Sequence, residues 1–434
     1  MSKREGGNRI KKIKLTKLEK FWVLYDVGNS AFIMLVSTII PIYFNYLAGK
    51  EGISEVDYLA YWGYAASVAT ILVALIGPIL GTLADTKNFK KPMFIITMLI
   101  GIFGCAALSI PNSWLAFLVV FVIAKVGYNA SVIFYDSMLV DITTKERMDT
   151  VSSHGYAWGY LGSCIPFVLS LVLVLMYEKL GITMQMGMTL AFCLNALWWF
   201  AVTVPLLRKY KQKYYVELPK HPVRDSFGRL GRTLGDIKKE KHIFLYLLSF
   251  FFFIDGVYTI ISMATAYGSS LGLNSTGLLL ALLVTQIVAF PCALFFSRLS
   301  KQYETSSLMK VCILAYTGIS LFAIQLDKQW EFWFLAVMVG MFQGAIQALA
   351  RSYFAKIIPA EKSGEYFGIY DICGKGASFM GTTLVGVVAQ ITHVTNAGVA
   401  MISIMFVIGF LLFCKAAKLN QGSERRNSEG VQPR

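Results

Sequence analysis

This chain is poor in charge. Only 15% of its 434 residues are Asp, Glu, Lys or Arg, against 56% hydrophobic ones, and the mean hydropathy is +0.59. That leaves too little polar surface to solvate a globular chain of this length, which excludes a water-soluble domain and reads as an integral membrane protein. Histidine is also rare: His154, His221, His242 and His393 are scattered, so neither a metal cluster nor a Ser-His-Asp arrangement follows from their spacing. The seven cysteines are an odd number, all sit in apolar runs and lack metal-ligand spacing, which excludes a disulfide framework. No Gly-x-x-x-x-Gly-Lys-Ser/Thr occurs, so nucleotide-driven chemistry is not expected. The expectation is a protein that is not an enzyme and holds no metal or cofactor. A cleavable signal is not expected either, because residues 1–20 are basic and the apolar run after them is too long for a signal core.

What the chain does have is apolar length. Runs at about 21–47, 57–84, 92–110, 113–140, 151–177, 187–207, 242–267, 274–297, 306–325, 331–357, 364–391 and 394–415 are each long enough for a hydrocarbon core of roughly 30 Å at about 1.5 Å per helical residue. Turn chemistry separates them at Pro111 and Asn112, at Pro359, and at Asn396 and Gly398. The predicted fold is all-α, with twelve transmembrane helices. The long connection at 208–241 divides it into two six-helix bundles, 21–207 and 242–415, flanked by a basic segment at 1–20 and a polar tail at 416–434 that is expected to be disordered beyond Lys418. Ile10, Ile13 and Leu18 among the lysines suit either a short interfacial helix or a basic tail. Tyr58, Tyr61 and Trp62, near a span end, suit an interfacial aromatic belt.

The net charge of +15 raises the question of nucleic acid, and the placement of the cations answers it. Of the 40 Lys and Arg, 35 fall on the side of the amino terminus, Arg351 counted with the loop after the tenth run; Lys50, Lys179 and Lys328 fall on the other side; Lys125 and Lys375 lie inside runs. That asymmetry is the positive-inside rule, so both termini are expected to be cytoplasmic, in the plasma membrane of a prokaryote, with no nucleic-acid partner. Attraction of the basic segments to anionic lipid is a secondary effect.

A charge deep in a bilayer costs roughly 3 kcal/mol or more and usually marks a substrate or ion path. Helical spacing groups the polar residues of the runs into stripes: Asp26 with Asn29 on the first; Lys125, Asn129 and Asp136, with Tyr128 beside them, on the fourth; Asp255, Thr259 and Ser262 on the seventh; Gln343, Gln347 and Arg351 on the tenth. Lys375, Gln343 and Gln347 are candidates for the pathway as well; for Lys375 an intrahelical ion pair with Asp371, four residues before it on the eleventh run, is the alternative, and for the glutamines interhelical hydrogen bonding. The halves also echo each other. Asp26-Val27-Gly28 parallels Asp255-Gly256-Val257, and Pro78 followed by Asp85 and a basic loop parallels Pro291 followed by Arg298 and Lys301.

Gly81-Thr82-Leu83-Ala84-Asp85 with Lys90 and Lys91 resembles the signature loop of the major facilitator superfamily, from which it departs at Thr86 and Asn88, where Arg and Gly are usual. Asn tolerates the left-handed backbone that Gly supplies there. Trp22-Val23-Leu24-Tyr25-Asp26-Val27-Gly28-Asn29-Ser30-Ala31-Phe32 resembles the opening motif of the vacuole-effluxer branch, whose fungal member exports amino acids during autophagy; Val27-Gly28 stand where Trp-Ala is common. Gly159-Tyr160-Leu161-Gly162, Asp255 to Ile260, Gln343 to Ser352 and Glu365 to Asp371 agree with the same branch. The resemblance implies a two-bundle fold whose first, fourth, seventh and tenth helices line a central cavity, so that the polar stripes face one another.

Asp26, Asp136, Asp255 and Asp371 then outnumber Lys125 and Lys375, so at most two acids are neutralised by pairing. A carboxylate stripped of water and of a cation favours its protonated form. The expected function is secondary active transport of a small polar solute, an amino acid by resemblance, with protons as a coupling ion through Asp26 or Asp255. Lys125 serves an anionic group, and Asp85, Lys90 and Asp371 are candidates for gating. A lipid or lipid-linked saccharide flippase is the alternative. Six plus six helices enclose a path without a second copy, so a monomer is expected.

Overall fold

In the computed structural model, residues 14–217, 222–270, 273–392 and 395–428 are described. Helices account for nearly all of it: α1 (Lys17–Ser37), α2 (Ile39–Lys50), α3 (Glu55–Ala84), α4 (Lys90–Ala107), α5 (Trp114–Ser137), α6 (Leu139–Ile142), α7 (Met148–Leu175), α8 (Met184–Lys209), α9 (Pro222–Lys239), α10 (Lys241–Ser270), α11 (Ser275–Leu299), α12 (Thr305–Ala323), α13 (Gln329–Ile357), α14 (Ser363–Thr392) and α15 (Thr395–Ser428). Twelve stretches among the described residues are long and apolar enough to cross a membrane, α1 with α2 forming the first and α5 with α6 the fourth. The first span is broken at Thr38, three residues before Pro41, which has no N–H to donate to the preceding turn. With an even number of such stretches, the start of α1 and the end of α15 lie on one face, called the terminal face below.

The side chains explain why these helices associate. Leu75, Phe103, Leu197 and Leu411 are among many large apolar residues left exposed on the outside of the bundle, as lipid contact requires. The interior of each half is aromatic. Trp22 stacks on Tyr135 at 4.2 Å with Tyr25, Phe94 and Trp199 around them, and in the second half Phe250 stacks on Tyr370 at 3.9 Å beside Tyr246 and Phe354. The halves meet where α3 packs on α14, α7 on α11 and α13, and α5 on α14.

Two details differ from the sequence-based expectation. The 208–241 connection is not a plain linker: Val216 pairs with the α3–α4 loop through Val216 N–H to Asp85 C=O (2.8 Å) and Lys87 N–H to Val216 C=O (3.0 Å), and α9 follows with packing against α3 and α10. The polar tail beyond Lys418 continues as helix to Ser428, since the α15 backbone bonds propagate past the last apolar turn. Tyr61 and Trp62, both half-buried, stack on Trp114 (4.7 Å) and Phe121 (4.5 Å). Ile10 and Ile13 lie outside the described residues, whereas Leu18 belongs to α1. In the α3–α4 loop, Asn88 takes the left-handed conformation (φ 65°), the conformation expected where the signature loop has Gly.

Candidate functional site: a charged crossing between the two halves

Arg351, on α13 of the second half, reaches into the first half and is buried there. Its Nη1 donates to Asp136 Oδ1 at 3.0 Å and its Nη2 to Asp26 Oδ2 at 3.3 Å, so one guanidinium serves carboxylates from α5 and α1. Its Nε donates to Ser152 Oγ (2.9 Å) and Nη2 also to the Ser152 carbonyl (3.1 Å), which ties in α7. The rings of Tyr156 and Trp22 lie 4.4 and 4.6 Å from the guanidinium carbon, a cation–π enclosure suited to a planar, weakly hydrated cation. Room for the cluster depends on Gly155, where a Cβ would stand 2.4 Å from Asp26 Oδ2 and 3.0 Å from Arg351 Nη2. Asn29, one turn from Asp26, is buried beside the Tyr25 hydroxyl.

Two further crossings lie nearer the terminal face. Asp85, which caps α3, accepts from the backbone N–H of Gly364 (2.7 Å) and Glu365 (2.8 Å). Those are first-turn amides of α14 with no intrahelical acceptor, and the helix N-terminus favours an anion there. Lys90 lies 3.7 Å from Asp85 and 3.4 Å from Asp141, and donates to Ser363 Oγ at 2.8 Å. Burial pushes the Asp85 carboxyl up to about 7 against the opposing pull of Lys90 and of the two amides. Closeness of backbone is essential: a Cβ at Gly81 would stand 2.2 Å from the Gly364 carbonyl oxygen. On the other flank, Asp149 of α7 accepts from Thr305 Oγ1, Ser352 Oγ and Lys356 Nζ, each at 2.6 Å.

The remaining sequence candidates separate into those left partly exposed and those that are buried. Lys125, near the middle of α5, is partly exposed and has no carboxylate within 4 Å among the described residues. Lys375 of α14 pairs with Asp371 at 2.5 Å. Tyr128, Tyr160, Tyr258 and Gln347 are also partly exposed, and Gln347 donates to the Tyr160 hydroxyl at 3.3 Å. Asn129 and Gln343 are buried. Asp255 does not meet Lys125. It is fully buried between α10 and α14, where Oδ1 accepts from the Gly381 N–H (3.0 Å) and the Thr259 hydroxyl (3.3 Å) while Oδ2 has no partner. Thr259, Gln286 and Gln343 also edge an apolar pocket of about 280 Å³ within the second half, walled by Tyr267, Phe332 and Val385. Asp371 does not join the Asp85–Lys90 crossing, being held by Lys375 one turn along its own helix.

The charge count from sequence therefore needs correcting: Arg351, placed there with a loop, is a buried cation that the count left out, and it pairs with two of the four acids. The stripe of Gln343, Gln347 and Arg351, at four-residue steps, held the signal. Asp149 and Asp141 carried none, because each lies beside a span end where an exposed acid is ordinary. No group of three His, Cys, Asp or Glu residues suited to a metal ion occurs among the described residues; His221 and His393 lie outside them.

The sequence pattern of the family described as "Vacuole effluxer Atg22 like" matches residues 16–426. The chain belongs to this family. A relative in Bacillus subtilis (strain 168), named an uncharacterized MFS-type transporter YxiO, is 39% identical over 404 residues, which is 92% of this chain and 94% of that one. Autophagy-related protein 22-1 of Penicillium rubens is 25% identical over 281 residues, 57% of this chain and 46% of its own, so the chain spans about half the length of that fungal relative. Of solved structures, the E. coli fucose:proton symporter FucP superposes with a TM-score of 0.70 at 14% identity, covering 92% and 97% of the two chains. The human organic anion transporter MFSD10 does so with 0.67 at 14%, covering 92% and 99%. At such identities the likeness is one of fold. The protein is a multi-pass transporter of the major facilitator type, in the vacuole-effluxer branch.

Proposed function

We propose that this transporter is a secondary active carrier that moves a small polar solute by alternating access, with protons as the coupling ion. It acts as a monomer in the plasma membrane of a prokaryote with its terminal face in the cytoplasm. The observation that carries this reading is Arg351, bound at once to Asp26 and Asp136 of the opposite half. The bonds between halves named above all lie from mid-depth to the terminal face, the arrangement required for a carrier closed on that side and accessible from the other.

One guanidinium between two carboxylates leaves a unit of negative charge, which supports a proton site that is also a mechanical joint. Protonation of either acid removes one of the ion pairs by which Arg351 holds the halves together. Asp255, whose partners are an amide and a hydroxyl rather than a cation, is better suited to joining α10 to α14. The finer reading of the solute, an amino acid, rests on the family resemblance and on Lys125 as the receptor of a carboxylate.

The test uses proteoliposomes under an imposed pH gradient, loaded with a metabolite mixture and read by mass spectrometry. Asp136→Asn is expected to abolish gradient-driven accumulation while leaving exchange of the same solute, and Asp255→Asn is expected to retain both. Accumulation that ignores the gradient in the parent protein would remove the proton from the account. Movement of a fluorescent phospholipid between leaflets in the same vesicles, without solute flux, would favour the flippase reading instead.

A further inference from the structure

We propose that the outward side of α9 is a docking surface for the anionic lipid headgroups of the leaflet on the terminal side. The inference goes beyond the transport reading and does not rest on it.

Helical spacing divides α9 into two sides. Ser226, Leu230, Thr233 and Ile237, at steps of four, three and four, form the side turned to the protein; Ser226, Thr233 and Ile237 are buried and Leu230 is half-buried. The neighbouring rows are exposed: Phe227, Gly231, Leu234 and Lys238 on one, Gly228, Arg232, Gly235 and Lys239 on the next. Phe227 and Leu234 keep 56% and 52% of their surface open, so two large apolar side chains share this side with three cations. The acids stand apart from it. Asp225 and Asp236 are half-buried, Asp236 lies 3.5 Å from Lys362, and Glu240, just after α9, lies 3.5 Å from His242.

The position of α9 favours a lipid surface over a soluble partner. Arg229 lies 3.7 Å from Glu365 and Asp236 reaches Lys362, so points about 10 Å apart along α9 both meet the start of α14. The helix also packs on α3 and α10, and it therefore runs along the ends of the spanning helices instead of projecting from them. It passes into α10 with little interruption, since the Glu240 N–H bonds to the Asp236 carbonyl and the Phe244 N–H to the Glu240 carbonyl. Phe244 and Leu248 belong to the exposed apolar surface of α10. Lys238, Lys239 and the exposed Lys241 precede Phe244 by at most about 9 Å of helix rise, comparable with a headgroup layer of roughly 5–8 Å. An interfacial helix of this kind gains twice: its apolar side chains leave water, and each cation near an anionic surface favours binding roughly fivefold.

The experiment uses the full chain in nanodiscs of phosphatidylcholine alone, and in discs where one lipid in three is phosphatidylglycerol. Hydrogen exchange of residues 227–239 reads the release of α9. A genetically encoded spin label at Leu234 reads its surroundings through collision with oxygen or with a water-soluble nickel chelate. In the anionic discs exchange should slow at least tenfold, and the label should meet oxygen as one at Phe244 does. About 1 M NaCl, with a screening length near 3 Å, should remove most of the slowing. Arg232→Gln, Lys238→Gln and Lys239→Gln together should abolish it without lowering Tm in phosphatidylcholine, because all three side chains are exposed. Lys238→Arg with Lys239→Arg, which keeps the charge, should behave as the parent does. Exchange within about twofold in the two discs would overturn the proposal. So would a triple variant that still slows, or a Leu234 label that meets nickel as freely as one at the exposed Glu361. Soluble polyglutamate that slows exchange in phosphatidylcholine discs as much as phosphatidylglycerol does would assign the surface to an acidic protein and overturn the lipid docking.

Discussion

Replacing Arg351 by Gln should loosen the terminal face without unfolding either half. Truncating one partner of a buried ion pair typically costs about 3–5 kcal/mol, because the other charge is left stranded. Here the stranded carboxylates of Asp26 and Asp136 keep 10% and 14% of their side-chain surface exposed. They can also be hydrated when the face opens, so we take about 2–3 kcal/mol as the destabilisation of the closed arrangement. That corresponds to an increase of roughly 30- to 150-fold in the population of the open form. Gly364 and Glu365 supply the reporter, because their amides are bonded to Asp85 across the halves and to nothing in their own helix. Where opening is fast, exchange at these amides follows the open population directly. The peptide spanning residues 360–368 should therefore exchange roughly 30- to 150-fold faster in Arg351→Gln. Arg351→Lys, which keeps charge but loses the fork, should fall between the two. Exchange within about twofold of the parent, in a variant with unchanged Tm, would refute the view that Arg351 holds the face shut.

Gly81→Ala should act on the same equilibrium by a different route: its Cβ would meet the Gly364 carbonyl at 2.2 Å, and separating α3 from α14 should cost about 1–3 kcal/mol, read as loss of flux in a protein that still folds. Asp85 links that face to pH. Its carboxyl stands at about 7 when closed and near the ordinary 3.8 when hydrated, so closing takes up a proton between those values. Lowering the pH from 8 through 7 should raise the protection factors of residues 360–368, taken relative to the unstructured peptide at each pH, and Asp85→Asn should remove that rise while weakening the contact itself. Lys356→Ala should free Asp149 from its cation and raise exchange around Thr305 and Ser352 by roughly tenfold, with little change at residues 360–368.

The spans were legible because length and hydropathy are properties of a segment. The α3–α4 loop was legible because its residues answer to local backbone demands, down to the left-handed Asn88. The charged crossings were less so. Asp26, Asp136 and Arg351 all appear in the helical stripes, yet their joining depends on where α1, α5 and α13 cross, which no single-helix periodicity encodes. Asp255 shows the same limit from the other side: its depth was readable, but not that Gly381 would bring a backbone amide to it. The i,i+4 pair Asp371–Lys375 was fully legible, being contained within one helix.

The central claim is that the two faces open in opposition. Genetically encoded spin labels placed at Lys87 and Glu361 report the terminal face, and labels at Lys50 and Lys328 report the other; all four positions are exposed and the native cysteines stay in place. Arg351→Gln should lengthen the first distance and shorten the second. Two distances that move together, or a second that stays fixed while the first grows, would contradict it.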